Sequence, residues 1–219
     1  MCCLSALEGK GGESEEKAMK KYEFTDETIR VVGRTLHRIR AVTTFLNTGR
    51  NPYRVINSGE LGGFIEREEN LSQTGGAWVY DNAKVCGNAK VYDNALVCGN
   101  AWVHDNAWVY DNAKVLDGAA IHGEAKVFGD VEVSGQASLS KNAMVLDSHH
   151  LLVVGPIGSR NSYTTFFRNM DKDIFVNCGC FCGNIDEFLL KVFETHGENR
   201  YAMEYKAVAE AAKAHMKEE

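Results

Sequence analysis

The chain has 219 residues, 44% of them hydrophobic and 25% charged, a globular balance that excludes wholesale disorder and suggests one or two domains at ~150 residues each. A formal net charge of −6 argues against a general nucleic-acid coat, and no apolar run approaches the ~20 residues that span a bilayer. Seven cysteines without a framework, and no basic-then-apolar N-terminal signal, fit a reducing cytoplasm.

Residues 1–21 are polar and charged and read as a disordered leader, with Met19 an alternative start. Residues 22–56 read as short strands turning at Gly33 and Arg34, a small β cap for the open end of the solenoid inferred below. Between Glu27 and Glu60 there is no acid and no lysine, but six arginines: Arg30, Arg34, Arg38, Arg40, Arg50 and Arg54. Arginine without lysine suits bidentate contacts to phosphate or carboxylate. The competing reading pairs these side chains with Glu66, Glu68 and Glu69.

Over residues 77–148 the sequence is written in sixes, from AWVYDN and AKVCGN to ASLSKN and AMVLDS, twelve hexads with no insertion. Position one is Ala in eleven, Val131 being the exception, and position three is always Val, Ile or Leu. Alternation along a strand puts these two positions on an inner face and positions two and four on an outer one. Asp-Asn and Gly-Asn pairs then turn the corners, Asn and Gly being the residues that best tolerate positive φ. A period this strict defines a β-solenoid. Residues 65–76 keep the spacing loosely and predict a further, partial coil.

The hexads resemble the left-handed parallel β-helix of hexapeptide-repeat proteins. The resemblance implies three hexads per triangular coil, so that residues 18 apart stack on one wall. One outer wall then carries Tyr92, Tyr110, Phe128 and Leu146, with Trp108 and Met144 beside them. An exposed apolar stripe marks an interface, here a homo-oligomer seam and, by resemblance, a trimer. The alternative is cover by the chain's own C-terminal part. A second wall stacks Cys86, His104, His122 and Ser140, with Trp102 nearby. These could ligate a soft metal, but a fourth ligand is missing and the side chains run parallel, so ordinary surface residues are the preferred reading. No metal and no cofactor are expected. Many hexapeptide-repeat proteins are acyltransferases with a loop leaving the coil and a histidine as general base. The unbroken register leaves no such loop, and His149 and His150 at the exit are the only candidates, so no catalytic residue is assigned.

Residues 155–165, GPIGSRNSYTT, form a glycine-flexed loop whose backbone N–H groups suit an anion-binding nest. It lacks the ending of a Walker loop, and a structural turn is the even alternative. Gly158, Ser159, Arg160, Asn161, Thr164 and Thr165 are the ligand candidates, with Arg168 and His149 behind them. A hairpin turning over residues 170–173 follows. Cys178, Cys180 and Cys182 alternate and would share one buried strand face. Asn184 with Glu187 predicts a capped helix to about Thr195, ended by Gly197. A second helix runs from about Asn199 with Tyr201, Tyr205, Val208 and Ala212 on one face. The fold class expected is mainly β: a hexapeptide β-helix over residues 57–150 between the N-terminal cap and an α+β domain over 151–219 ending in a helical hairpin.

With LHRIRA, GELGGFIEREENLS, GPIGSRN and CGCFCGNIDEF flanking the hexads, the chain is similar to hexapeptide-repeat proteins of phages and prophages. By analogy of context, phages carry sponge proteins that hold host nucleotide signals as an anti-defence measure. The expected function is therefore non-enzymatic sequestration of an anionic small molecule, a cyclic nucleotide or an ADP-ribose derivative, by a cytoplasmic homo-oligomer in an infected or lysogenic host. No membrane or nucleic-acid partner is expected. The rivals are an acyl-CoA-dependent acyltransferase and a structural or protein-binding inhibitor module.

Overall fold

The computed structural model describes residues 20–49 and 53–217. The leader expected over 1–21 therefore lies outside the described residues except for Lys20 and Lys21; Met19 and Arg50 lie outside as well. Lys21 belongs to the fold: it is 4% exposed, and its ammonium donates to the Ala77 carbonyl at 2.9 Å.

The N-terminal cap is built on an antiparallel hairpin, β1 (Tyr22–Val31) and β2 (Arg34–Ala41), with longer strands than expected. Its turn falls on Val32 (φ 47°) and Gly33 (φ 77°), one residue earlier than predicted. A small second hairpin, β3 (Phe45–Asn47) and β4 (Arg54–Ile56), follows, and β2 then pairs antiparallel with β5 (Leu61–Ile65). Four arginines of this region find carboxylates: Arg34 with Glu66, Arg38 with Glu27, Arg40 with Glu23 and Arg54 with Glu60. Their phosphate reading is corrected accordingly, and of the proposed acidic partners only Glu66 takes part.

From β5 onward the chain is a parallel β-solenoid of about five coils. Each hexad contributes a two-residue strand at positions two and three, and strands 18 residues apart pair parallel, as Trp102 does with Lys84 below and Ala120 above. The looser residues supply the partial first coil: Phe64 and Ile65 pair with Lys84 and Val85, and Leu71 bridges Val91. Positions one and three are buried in every hexad and form one continuous core. Alanine at position one keeps that core narrow, so the walls approach closely without voids.

The corners differ from the expectation in an instructive way. The left-handed conformation belongs to position five, from Asp81 (φ 51°) to Lys141 (φ 50°), and not to the asparagine after it. Aspartate is favoured there because its carboxylate reaches the next coil. Asp81 accepts from the N–H of Gly99 at 3.2 Å, Asp105 from Gly123 at 3.2 Å, and Asp117 from Gly135 at 3.1 Å. Gly99 is crowded: a Cβ there would lie 3.0 Å from the Asp117 backbone. Aspartate and glycine alternate up the column 81, 99, 117, 135, the top glycine having open space around it. The asparagines form their own ladder outside, as between Asn88 and Asn106 at 2.9 Å.

At the far end a four-stranded antiparallel sheet covers the last coil: β6 (Leu151–Ile157), β7 (Ser162–Arg168), β8 (Ile174–Cys178) and β9 (Phe181–Asn184). One face, with Phe167, Phe175 and Val153, joins the solenoid core, and the other, with Phe166 and Val176, packs under two helices. These are α1 (Ile185–His196) and α2 (Arg200–His215). Asn184 and Glu187 form the expected capping box, and Asn199 caps α2. The bare edge of the last rung is satisfied by side chains. Thr165 Oγ1 accepts from the Ser138 N–H at 3.0 Å, and the Asn177 amide donates to the Ser138 carbonyl at 2.7 Å.

Candidate functional site

A cavity of about 380 Å³ opens where the sheet meets the helical hairpin. Ser159, Arg160 and Ser162 come from the β6–β7 hairpin, and Cys178, Gly179, Cys180 and Phe181 from the β8–β9 hairpin. Helix α1 adds Phe188, Lys191, Val192, Thr195 and His196, and α2 adds Tyr205. The size lies within the usual ~300–1,000 Å³ of small-molecule sites.

Local geometry explains why these groups converge. Asn161 (φ 48°) and Gly158 (φ 69°) turn the first hairpin, which carries Ser159 and Arg160 to its tip. Tyr205 reaches under that turn so closely that a Cβ on Gly158 would lie 1.8 Å from its hydroxyl oxygen. Gly179 (φ 61°) turns the second hairpin and leaves room for the Arg160 guanidinium, 3.0 Å from where a Cβ would be. The same guanidinium lies 4.0 Å from the Cys180 sulfur. Phe181 and Phe188 pack tilted at 5.6 Å and form an aromatic floor.

The described lining residues carry cations and no carboxylate, with Glu194 and Glu204 standing just outside the lining. Arg160 brings positive charge, while the Lys191 ammonium is paired with Glu194 at 2.9 Å. Burial pushes the Tyr205 hydroxyl up to about 12, with Cys178 and Glu204 adding to the shift and Arg160 opposing it. Tyr205 is therefore a neutral hydrogen-bonding group at physiological pH.

The loop candidates divide. Ser159 and Arg160 line the cavity, whereas Gly158 and Asn161 face a second, more open depression of about 450 Å³ with Arg200, Tyr201 and Glu204. The Gly158 N–H donates to Glu204 Oε2 at 2.9 Å, so this amide is held by the protein's own carboxylate and the nest reading does not stand there. Thr164 and Thr165 are buried in β7 and already engaged, Thr164 with the Cys178 sulfur at 3.3 Å and Thr165 with Ser138. Arg168 donates to the carbonyls of Lys172 and Met216 and so ties down the end of α2. His149 stands in the open, its Nδ1 2.7 Å from Asp147 Oδ1.

The cysteines do not share one face, because Gly179 and Cys180 turn a hairpin between the other two. Cys178 faces the helices, Cys182 meets the Ser140 hydroxyl at 3.1 Å, and Cys180 is exposed at the tip. Phe181, Lys191, His196 and Tyr205 were missed as site residues. Phe188, Lys191, Val192 and Thr195 follow i, i+3, i+4, i+7 spacing, and polar groups within that stripe were the available signal.

On the solenoid, Tyr92 and Tyr110 stack at 5.0 Å, and Tyr110 and Phe128 at 4.9 Å, each pair within 3° of parallel. Trp108 (37% exposed) and Leu146 (43%) leave this wall open to solvent, and the C-terminal domain sits over the solenoid's end instead.

Fold and cavity together define a β-solenoid protein with a pocketed α+β end domain. No protein-family model matches the chain, and no curated protein matches it. No described helix is long and apolar enough to cross a membrane.

Proposed function

We propose that this protein is a non-enzymatic binding protein whose C-terminal cavity holds an anionic small molecule with an aromatic or apolar body. The observation that carries the reading is the meeting of the Arg160 guanidinium with the Phe181–Phe188 floor in a pocket whose described lining holds no carboxylate. A guanidinium gives directional hydrogen bonds to phosphate, an aromatic floor favours a planar base, and Tyr205 and Ser159 add neutral polar contacts. Nucleotides have both halves of that chemistry, and a cyclic nucleotide or ADP-ribose derivative is the ligand class proposed. The solenoid serves as a rigid stalk, and its aromatic wall as the seam of a homo-oligomer, a trimer by resemblance. The biological setting proposed is sequestration of a host nucleotide signal by a phage protein.

The test is native mass spectrometry of protein purified from cells with an active nucleotide-signalling defence, followed by denaturation and analysis of the released molecule. A nucleotide at near one per chain or per oligomer supports the reading. An empty cavity after exposure to a broad panel of nucleotides and acyl-CoA esters overturns it in favour of a protein-binding module.

A further inference from the structure

A second constellation lies on the solenoid wall, far in sequence from the cavity. His104, Asp105 and His122 place their donor atoms within 4.8 Å of one another. The hexad period builds this cluster. The two histidines occupy position four of hexads one coil apart, and their rings stack at 5.0 Å, 4° from parallel. Asp105, at the left-handed corner, sets its Oδ2 3.2 Å from His104 Nδ1 while accepting from the Gly123 N–H.

The rest of the column is already occupied. Below, Cys86 is buried against Leu36 and Phe64. Above, the Ser140 hydroxyl donates to Asn177 at 3.0 Å. Trp102 packs on His104 with ring centroids 4.3 Å apart. One coil up, its pairing partner is Ala120, so the adjoining column places only a methyl group beside His122. The two half-buried imidazoles are thus backed on one side and open on the other.

We propose that His104, Asp105 and His122 bind a divalent transition-metal ion, zinc being the best fit. Imidazole nitrogen and carboxylate oxygen are the donors zinc takes, and three protein ligands leave a position for water. Magnesium and calcium demand more oxygen than this cluster offers. Zinc–ligand bonds of ~2.0–2.2 Å hold tetrahedral donors roughly 3.3 Å apart. Closing the cluster from its present span takes side-chain rotation on the order of 1–2 Å, with the backbone corners left in place. A bound ion would clamp two successive coils together. The Tyr92–Tyr110–Phe128 stack has the same ring geometry but no ring nitrogen, so it is the matching column without metal donors.

That comparison supplies the decisive variant. His122→Phe copies the aromatic stack and removes one donor, and Asp105→Asn keeps a residue that tolerates the left-handed corner. Zinc chloride is the probe, applied to the full chain in equilibrium dialysis and soaked into crystals for anomalous scattering at the zinc edge. The expected result is one zinc per chain lost in His122→Phe, affinity at least tenfold weaker in Asp105→Asn, and an anomalous peak between His104 and His122. Zinc should also raise the melting temperature of the wild type and leave His122→Phe unmoved, while magnesium chloride moves neither. Equal zinc stoichiometry in wild type and His122→Phe, or anomalous density only at cysteines and elsewhere, overturns the proposal.

Discussion

Phe166 and Phe167 are neighbours in sequence, both 0% exposed, and belong to different cores: Phe166 meets Phe188 edge-on at 6.0 Å, while Phe167 lies in the solenoid core beside Phe175. The period of two in a strand makes this possible, since one residue of advance reverses the face. Strand β7 is therefore the joint through which solenoid and helices depend on each other. Replacing either phenylalanine by alanine should cost about 3–5 kcal/mol. Hydrogen exchange separates the two: Phe166→Ala should loosen α1 and α2 first, and Phe167→Ala the last coil around Leu139 and Val145. Identical exchange patterns in both variants would refute the two-core description.

Val32 offers a stabilising change. It is 82% exposed, β-branched and held at φ 47° in the β1–β2 turn, followed by Gly33 at φ 77°. Two consecutive positive φ values mark the hairpin turn that prefers Asn-Gly. Val32→Asn should raise stability by about 1 kcal/mol, because asparagine tolerates this region and valine does not. Thermal or urea unfolding reads the gain, and an unchanged or lower midpoint would contradict it.

Gly158 is needed twice over, for φ 69° and for the space Tyr205 occupies. Gly158→Ala should displace Tyr205 from the cavity wall and lower the stability of the end domain, while the solenoid keeps its β circular dichroism signal. The paired variant Gly158→Ala/Tyr205→Phe relieves part of the clash and should recover some of the loss. No recovery would mean that the ring carbons, 2.2 and 2.7 Å from that Cβ, and the strained φ account for the effect without the hydroxyl, and an unchanged stability of Gly158→Ala would contradict the packing.

How much of this was legible follows from which contacts are local. Inner and outer faces of the hexads, the Asn184 cap and the residue 170–173 turn depend on period and near neighbours, and they stand as read. At the corners the glycines hold the positive φ as expected, whereas intrinsic preference points to asparagine where Asp81, Asp105 and Asp117 hold it, favoured by an N–H 18 residues away. Thr164 and Thr165 read as ligand contacts in the sequence because a hydroxyl in a glycine-rich loop does not reveal where the strand begins. Arg160 was recognisable as a loop cation. Lys191 and Tyr205 were not, since only the packing of two helices over a sheet brings them beside it.

The open wall tests the assembly reading. Tyr110 sits midway in its stack, between Tyr92 and Phe128, with Trp108 alongside and the ammonium groups of Lys90 and Lys126 within 5.5 Å of that indole. Tyr110→Asp adds a charge at the centre of the stripe without touching the inward positions. Sedimentation should show an oligomer for the wild type and a monomer for the variant, with the melting curve of the solenoid little changed. A monomeric wild type would reassign the stripe to another partner.

Arg160 and Arg168 provide a contrast that a general loss of charge cannot mimic. Both are near the end domain's helices, yet Arg160 lies over the Gly179 turn at the cavity while Arg168 is committed to the carbonyls of Lys172 and Met216. Arg168→Ala strips the cation from the C-terminal end of α2, where it satisfies the Met216 carbonyl left unpaired by the helix. It should lower stability by about 1.5–3 kcal/mol, the range for hydrogen bonds to a charged group, with ligand affinity retained at temperatures where the domain stays folded. Arg160→Ala should do the reverse, leaving the melting temperature near wild type and weakening nucleotide binding roughly tenfold to a hundredfold. Calorimetric titration and thermal melting of the two variants in parallel decide the matter. If Arg168→Ala weakens binding at full folding and Arg160→Ala does not, the ligand belongs on the opposite side of the β6–β7 turn, beside Arg200 and Glu204.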